Sequence, residues 1–405
     1  MGLIVVQGLV AVPRGVHLAQ TTARGPISGC RARAGIPRKA SISWVYSIEY
    51  PGFLNYPGYA VQVLKDPLFH PHELAYRTQY AELKERVRAT AALLPGSPGT
   101  LVLRSGTGRS YWYRAYQGAN GNQVEDLVGR DTDEDAYAQA ASDLAFAKWV
   151  GTQVRTLRKL EFQTADKAVA NVLVQLHNAQ LLGSSLCVVG TLGYMAWLNE
   201  LGARAVVART EDIDLAARQG LKLAAPRSFF EVVEGTKMGF NPVPGLPSQL
   251  PSASVKLPGA AGLRVNVLTH GEKTGKTVAL APLQWHAQTV AHYDYLLQDT
   301  REAAILAGGH CIPVRLPAPE RFIWHKLYAS AVRKSFPEKA AKDFRQAVTL
   351  AAILTEQDED ALSDSAVELP RAVKSVLVRH RAALRSALER SPATRRALDR
   401  ALDSD

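Results

Sequence analysis

The sequence predicts an α+β protein in which short strands interleave with helices. Three observations carry that reading. A β-rich stretch, 100–128, lies between helical runs; a strand–Gly–Thr–helix–strand unit occupies 186–215; and beyond Pro317 the chain is mainly helical. With 405 residues the chain exceeds one small domain. It divides into a basic extension, 1–72; a helix, β-meander and helical pair, 73–182; a core, 183–316; and a helical region with a basic tail, 317–405.

Each element has a local cause. Tyr76, Tyr80, Leu83, Val87 and Leu94 recur at three- and four-residue steps or whole turns, one face of a helix that Pro95–Gly96 should end. The period then changes to that of strands. Leu101–Arg104, Ser110–Arg114 and Gln123–Val128, joined by Ser105–Gly108 and Asn120–Gly121, read as an antiparallel meander. Arg104, Arg109 and Arg114 around Tyr111, Trp112 and Tyr113 would offer a stacking and phosphate surface, or core aromatics alternating with solvated arginines. From Asp131 to Leu182 two helices break near Phe162–Thr164, with Thr164 as N-cap and Gly183 as stop.

Leu186–Val189 is a buried strand, and Gly190–Thr191 opens a helix that Gly202 closes. An extended piece at 205–208 leads into Thr210–Leu215. A helix from about Ser228, a Pro/Gly/Ser-rich loop at 241–258, and strands at 262–268 and 277–280 follow. Helices are expected at 321–334 and 339–354, before an Arg-rich tail from Arg371 to Arg400.

Composition narrows the function classes. Hydrophobic residues make up 47% and charged residues 21%, values ordinary for a globular protein. No apolar run approaches the roughly 20 residues that cross a bilayer, which points to a cytoplasmic protein rather than a membrane one. A net charge of +11 suits a polyanionic partner or simply a basic surface. Cys30, Cys187 and Cys311 are far apart and in no metal-ligand spacing, consistent with a reducing compartment. The first 48 residues hold six Lys or Arg and no acid. That bias is like a transit peptide, but scattered Pro, Gly and Arg without helical period favour a start codon placed too far upstream.

The sharpest chemical signal is Asp212-Ile-Asp214. Residues two apart on a strand share a face, so both carboxylates can converge on one spot. Two such groups repel unless a cation lies between them, and Mg²⁺ or Mn²⁺, bridging carboxylates and substrate phosphates, suits the pair. A bare D-x-D is also common on exposed strands. The preceding Gly190–Thr191 adds context: glycine permits close backbone approach, a helix start presents N–H groups to phosphate, and threonine adds a hydroxyl. An ordinary strand-to-helix turn would have the same residues. Gly271–Thr277 only imitates a P-loop, with three residues between its glycines and a β-like run after it.

Val188–Gly193 followed by Thr210–Leu215 resembles the opening motif of the DNA polymerase β-like nucleotidyltransferase superfamily. More closely, with Tyr111–Tyr113, Pro317–Leu327 and Lys339–Ala347, the chain resembles largely uncharacterised bacterial nucleotidyltransferase-fold proteins related to abortive-infection nucleotidyltransferase toxins. The similarity spans roughly 80–354. It implies a mixed sheet flanked by helices, Mg²⁺ dependence, and transfer of a nucleoside monophosphate from an NTP to an acceptor. Gly190 and Thr191 would hold phosphates, Asp212 and Asp214 the metals. Lys326 matches a basic position near phosphate, and Lys342 and Asp343 match a Lys-Asp pair; each also reads as a helix-face residue.

One departure matters. Where the family carries a third carboxylate, this chain has Asn266 within Val265–Thr269. Asparagine offers a carbonyl to a cation but cannot take a proton. The expectation is therefore a slow transferase, one using another base such as Glu211 or Asp343, or a degenerate nucleotide- or nucleic-acid-binding protein. A toxin of a toxin–antitoxin pair is compatible with either. The acceptor could be an RNA end, a protein hydroxyl or a small molecule. Residues 371–405, with nine Lys or Arg against four acids, could contact nucleic acid or form an amphipathic packing helix.

Overall fold

In the computed structural model the described residues are 53–56, 59–62 and 67–403, apart from 107, 184, 208–209, 219–225 and 246. The basic segment at the start of the chain lies outside them.

A hairpin, β1 (Phe53–Tyr56) and β2 (Tyr59–Gln62), and the short β3 (His70–Pro71) precede α1 (Leu74–Arg88). Tyr80, Leu83 and Val87 of α1 are buried, as the periodicity requires. The helix stops well before Pro95–Gly96 because tertiary hydrogen bonds replace helical ones. Asn178 accepts from the Leu93 amide (2.9 Å) and donates to its carbonyl (2.8 Å).

The meander is β4 (Thr100–Gly106), β5 (Arg109–Gln117) and β6 (Gln123–Arg130), all antiparallel. Its arginines do not form one phosphate surface. Arg114 is 4% exposed and donates to the carbonyls of Pro95 (2.6 Å), Ser97 (2.7 Å) and Pro98 (3.0 Å), with its guanidinium over the Tyr116 ring. Arg104 pairs with Glu125, and Trp112 packs on Tyr137 of the next helix.

That helix, α2 (Glu134–Lys159), is capped by Asp133, and α3 (Lys167–Asn178) by Asp166. Thr164 is not the cap, because the Ala165 amide donates to the Leu306 carbonyl and holds this stretch extended beside a strand. There follow β7 (Leu186–Val189), α4 (Gly190–Glu200), β8 (Ala203–Arg204), β9 (Asp212–Ala217), α5 (Phe229–Glu234), β10 (Asn241–Pro242), β11 (Ser254–Lys256), β12 (Arg264–His270), β13 (Thr277–Leu280) and β14 (Trp285–Val290). Ser228 caps α5. The extended piece expected at 205–208 reduces to β8, two residues earlier.

The sheet is mixed and centred on β12. Along one edge β12 pairs in parallel with β9, which pairs antiparallel with β7. Along the other, β11 runs antiparallel beside its first residues and β14 parallel beside its last. Next come α6 (Tyr293–Gln298) and a hairpin, β15 (Thr300–Ala307) and β16 (His310–Pro317). The sequence reading passes over β14, α6 and this hairpin, although Gly308–Gly309, both at positive φ, is a turn signal between two apolar runs.

The remaining helices are α7 (Pro319–Val332), α8 (Pro337–Gln357), α9 (Ala361–Ala366), α10 (Arg371–Arg379), α11 (Arg381–Ala387) and α12 (Pro392–Asp403). One core joins α3 to α12, with Trp324, Tyr194, Phe229 and Phe322 its largest buried side chains. Glu200 at the end of α4 ties α1 to it, accepting from Tyr80 (2.7 Å), the Ala304 amide (2.9 Å) and Lys84 (2.5 Å). The basic tail is a set of packing helices. Leu398 and Leu402 are buried, Arg385 is paired with Asp399, and Arg400 with Glu359.

Replacing Arg114 tests whether it holds the 95–98 loop. Arg114→Met leaves three carbonyls without their donor and should cost about 2 kcal/mol in chemical denaturation. Arg109→Ala should stay within about 0.5 kcal/mol of the parent.

Candidate active site

The site is assembled where β7 ends and β9 and β12 begin, beside α7 and α8. On β9, Ile213 and Leu215 are fully buried while Asp212 and Asp214 are half-buried, so the alternation sends both carboxylates to one face. On β12 the same alternation places Arg264, Asn266 and Leu268 on that face and buries Val265 and Val267. Register then brings Asp214 opposite Val189 on one side and Asn266 on the other.

Gly190 is the point of closest approach. Its φ is +66°, and a Cβ there would lie 2.2 Å from Asp214 Oδ2, so no side chain fits. This leaves the first amides of α4 beside the acid pair, in a helix of 11 residues. Thr191, 6% exposed, lines the same cleft.

The opposite wall comes from α7 and α8. Lys326 donates to Asp343 Oδ1 (2.8 Å) and Arg333 to Asp343 Oδ2 (2.5 Å), both within the interface of the two helices. Lys326 and Asp343 are nearly fully buried, so the pair is stable only because each satisfies the other. Lys342, the next residue on α8, is half-buried, lines the cleft and makes no hydrogen bond or ion pair among the described residues.

The electrostatics follow from this arrangement. Burial pushes the Asp214 carboxyl above the usual carboxylate range; the Asn266 hydrogen bond opposes that, the Asp212 charge adds to it, and Lys326 and Lys342 oppose it. For Asp343, burial pushes up, but the combined pull of Lys326 and Arg333 wins and holds it low. Burial lowers Lys342, against the pull of Asp343 and Asp214. Burial also drives the His325 imidazole down to about 4. Neutral His325 sits 3.3 Å from the Ala291 carbonyl and edge-on to Tyr293.

All eight residues singled out from the sequence, Gly190, Thr191, Asp212, Asp214, Asn266, Lys326, Lys342 and Asp343, line this one cleft of about 630 Å³. A larger cleft of about 1310 Å³ lies between α2, the 89–98 segment and the Gly308–Gly309 turn. The smaller one is the candidate site, because Asp212 and Asp214 share a strand face there beside the start of α4.

Two expected roles change with these contacts. Both oxygens of Asp343 are engaged by cations, so it is poorly suited to be a base. Lys326 is committed to Asp343, leaving Lys342, half-buried, and Lys339, exposed at the rim, as ammonium groups of the cleft without an acid partner among the described residues. The sequence reading also missed Arg264, Arg333, Tyr293 and His325. Arg264 was findable, two residues before Asn266 on the same strand face; its guanidinium is held by Ser254 Oγ at 2.7 and 3.2 Å. Nothing local marks Arg333, whose partner is set by helix packing.

A mixed sheet whose β7–α4 corner meets two acids on β9 defines the class of the nucleotidyltransferases. The comparison of sequences agrees. The family model described as Nucleotidyltransferase matches residues 167–370, half of the chain, and the protein belongs to that family. Among curated proteins and among solved structures no match is found. Among the described residues no helix is long and apolar enough to cross a membrane, and no cluster of three or more His, Cys, Asp or Glu is placed to hold a metal.

Two predictions follow from these contacts. Gly190→Ala should lose about 1–2 kcal/mol to the left-handed backbone alone, measured by thermal unfolding, and more through Asp214. His325 makes stability pH-dependent. Below about pH 6.5 the unfolded imidazole binds a proton that the folded one, with its pKa near 4, does not. Stability should therefore fall by about 2 kcal/mol between pH 6.5 and 4, and His325→Gln should remove that share of the slope.

Proposed function

We propose that the cleft binds a nucleoside triphosphate with a divalent cation and transfers its nucleoside monophosphate to an acceptor hydroxyl. The observation that carries this reading is the meeting of Asp212 and Asp214 with the Gly190–Thr191 helix start, inside the region that the nucleotidyltransferase family matches. Mg²⁺ or Mn²⁺ fits the donor set: two hard carboxylate oxygens on one strand face, one of them raised by burial and by its neighbour's charge. When bound, the cation would neutralise phosphate oxygens and polarise the α-phosphoryl group.

The chain's own residues supply the rest. The α4 amides and the Thr191 hydroxyl bind phosphate oxygens, and Lys342 adds an ammonium from the opposite wall. The acceptor hydroxyl oxygen attacks the α-phosphorus in line; its bond to phosphorus forms as the bond from the α-phosphorus to the bridging oxygen breaks, pyrophosphate leaves, and the hydroxyl proton passes to solvent water. Asp343 holds Lys326 and Arg333 in place rather than taking the acceptor's proton. RNA ends, protein hydroxyls and small alcohols are all acceptors of the right chemistry. The basic tail gives RNA no special support, since part of its charge is matched by Asp399, Asp403 and Glu359.

One observation favours a second reading, a protein that binds nucleotide without transferring it. Asn266 stands where a proton-accepting carboxylate would serve, and its amide donates to Asp214 at 2.8 Å.

Incubation with each α-labelled NTP, Mg²⁺ or Mn²⁺ and total RNA or cell extract separates the two. Transfer of label to an acceptor, reduced at least about a hundredfold by Asp212→Ala and by Asp214→Ala, is the expected result. Label transfer unchanged in both variants would refute this site. Transfer absent in the parent but present in Asn266→Asp would favour the binding reading.

A further inference from the structure

We infer that this site takes one divalent cation per bound nucleotide, and that the Lys342 ammonium stands where a second cation would otherwise balance charge. The inference rests on the nucleotide-binding reading above and departs from a two-cation site.

Asn266 is the first reason. Its amide Nδ2 lies 2.8 Å from Asp214 Oδ1. An ionised carboxylate oxygen only accepts, so the group facing it is the NH₂, a donor with positive partial charge. A cation between Asp214 and position 266 would meet those hydrogens instead of an oxygen lone pair. Turning the amide over would break this hydrogen bond and offer a cation only a neutral carbonyl oxygen in place of a charged carboxylate. Among the described residues no third acid, histidine or cysteine completes a cluster around the pair. The other carboxylate oxygen, Asp214 Oδ2, faces Gly190 and stays available with Asp212 for one cation on the phosphate side.

Lys342 is the second reason. Its ammonium is half-buried in the cleft wall, and both Asp343 and Asp214 act on its charge. Of the other cations of the cleft, Lys326 and Arg333 are spent on Asp343, Arg264 is held by Ser254 Oγ, and Lys339 is exposed at the rim, which leaves Lys342 as the half-buried one without an anion among the described residues. Among the described residues Lys342 makes no hydrogen bond or ion pair, and a half-buried ammonium without an anion carries an uncompensated desolvation cost. A triphosphate oxygen would supply that anion. A single Mg²⁺ and one lysine then provide the positive charge that two metal ions provide elsewhere.

The test counts Mn²⁺ by electron paramagnetic resonance in the full-length protein saturated with an NTP analogue whose α,β-bridge is methylene. One Mn²⁺ per chain is expected, rising to two in Asn266→Asp. Lys342→Met should weaken analogue binding at least about tenfold, the loss of one charge-assisted contact, with thermal unfolding confirming that each variant is folded. If Asn266→Asp does not fold, the parent stoichiometry and Lys342→Met decide alone. Two Mn²⁺ per chain in the parent, or undiminished binding in Lys342→Met, would overturn the inference while leaving the nucleotide site intact. Failure of the parent to bind the analogue with Mn²⁺ would sink both this inference and the nucleotide-binding reading.

Discussion

The contact between Gly190 and Asp214 is the constraint on which the site depends. Antiparallel pairing of β7 with β9 sets Val189 opposite Asp214, so the residue after Val189 must pass directly over the carboxylate. A Cβ at 190 would fall 2.2 Å from Asp214 Oδ2, far inside van der Waals contact, and the backbone there is left-handed. Glycine meets both demands at once. Because it does, α4 can begin beside the acid pair, and its unpaired amides share a space with two carboxylates. Positive and negative poles are thereby fixed a few ångströms apart by backbone geometry rather than by flexible side chains.

A second constraint holds the opposite wall. Asp343 accepts from Lys326 and Arg333 deep between α7 and α8, and this three-membered charge cluster orients the face from which Lys342 projects. Lys326 and Asp343 are buried while Arg333 is partly exposed, so the buried pair depends on each partner being present. Its consequence reaches the chemistry. An acid engaged by two cations is held ionised and spoken for, which removes it as a proton acceptor and makes it a positioning group. Asn266 acts similarly on the neighbouring strand, turning a place for a third acid into a hydrogen-bond donor toward Asp214. The cleft thus brings together two acids, the ammonium groups of Lys342 and Lys339, and a helix start, a charge balance suited to a nucleotide with its cation.

Much of this was legible in one dimension because it is local. Alternation along Asp212–Leu215 and Arg264–Leu268 dictates which side chains face the cleft, and that needs only the period of a strand. The helix of Lys339–Leu354 was visible for the same reason at a different period, and the structure extends it at both ends to Pro337–Gln357. Where local signals were present but weak, they went unread. The Gly308–Gly309 turn joins two apolar strands, yet their continuous hydrophobicity lacks alternation, since both are packed against helices. Arg114 shows the opposite failure: its strand context marks it as solvated, but the loop at 95–98 folds over it and accepts from Nε and one terminal nitrogen.

The sequence by itself determined the acid pair's shared face, the glycine that must precede α4, and the missing carboxylate at 266, because residue identity and backbone period act over a few positions. Tertiary structure decided the rest. Whether Lys326 or Lys342 is free, whether Asp343 is a base or an anchor, and which atom of Asn266 meets Asp214 are questions of partner. Partners are chosen by packing between segments far apart in the chain, where burial makes an unpaired charge costly and so compels each group to the nearest one that can satisfy it.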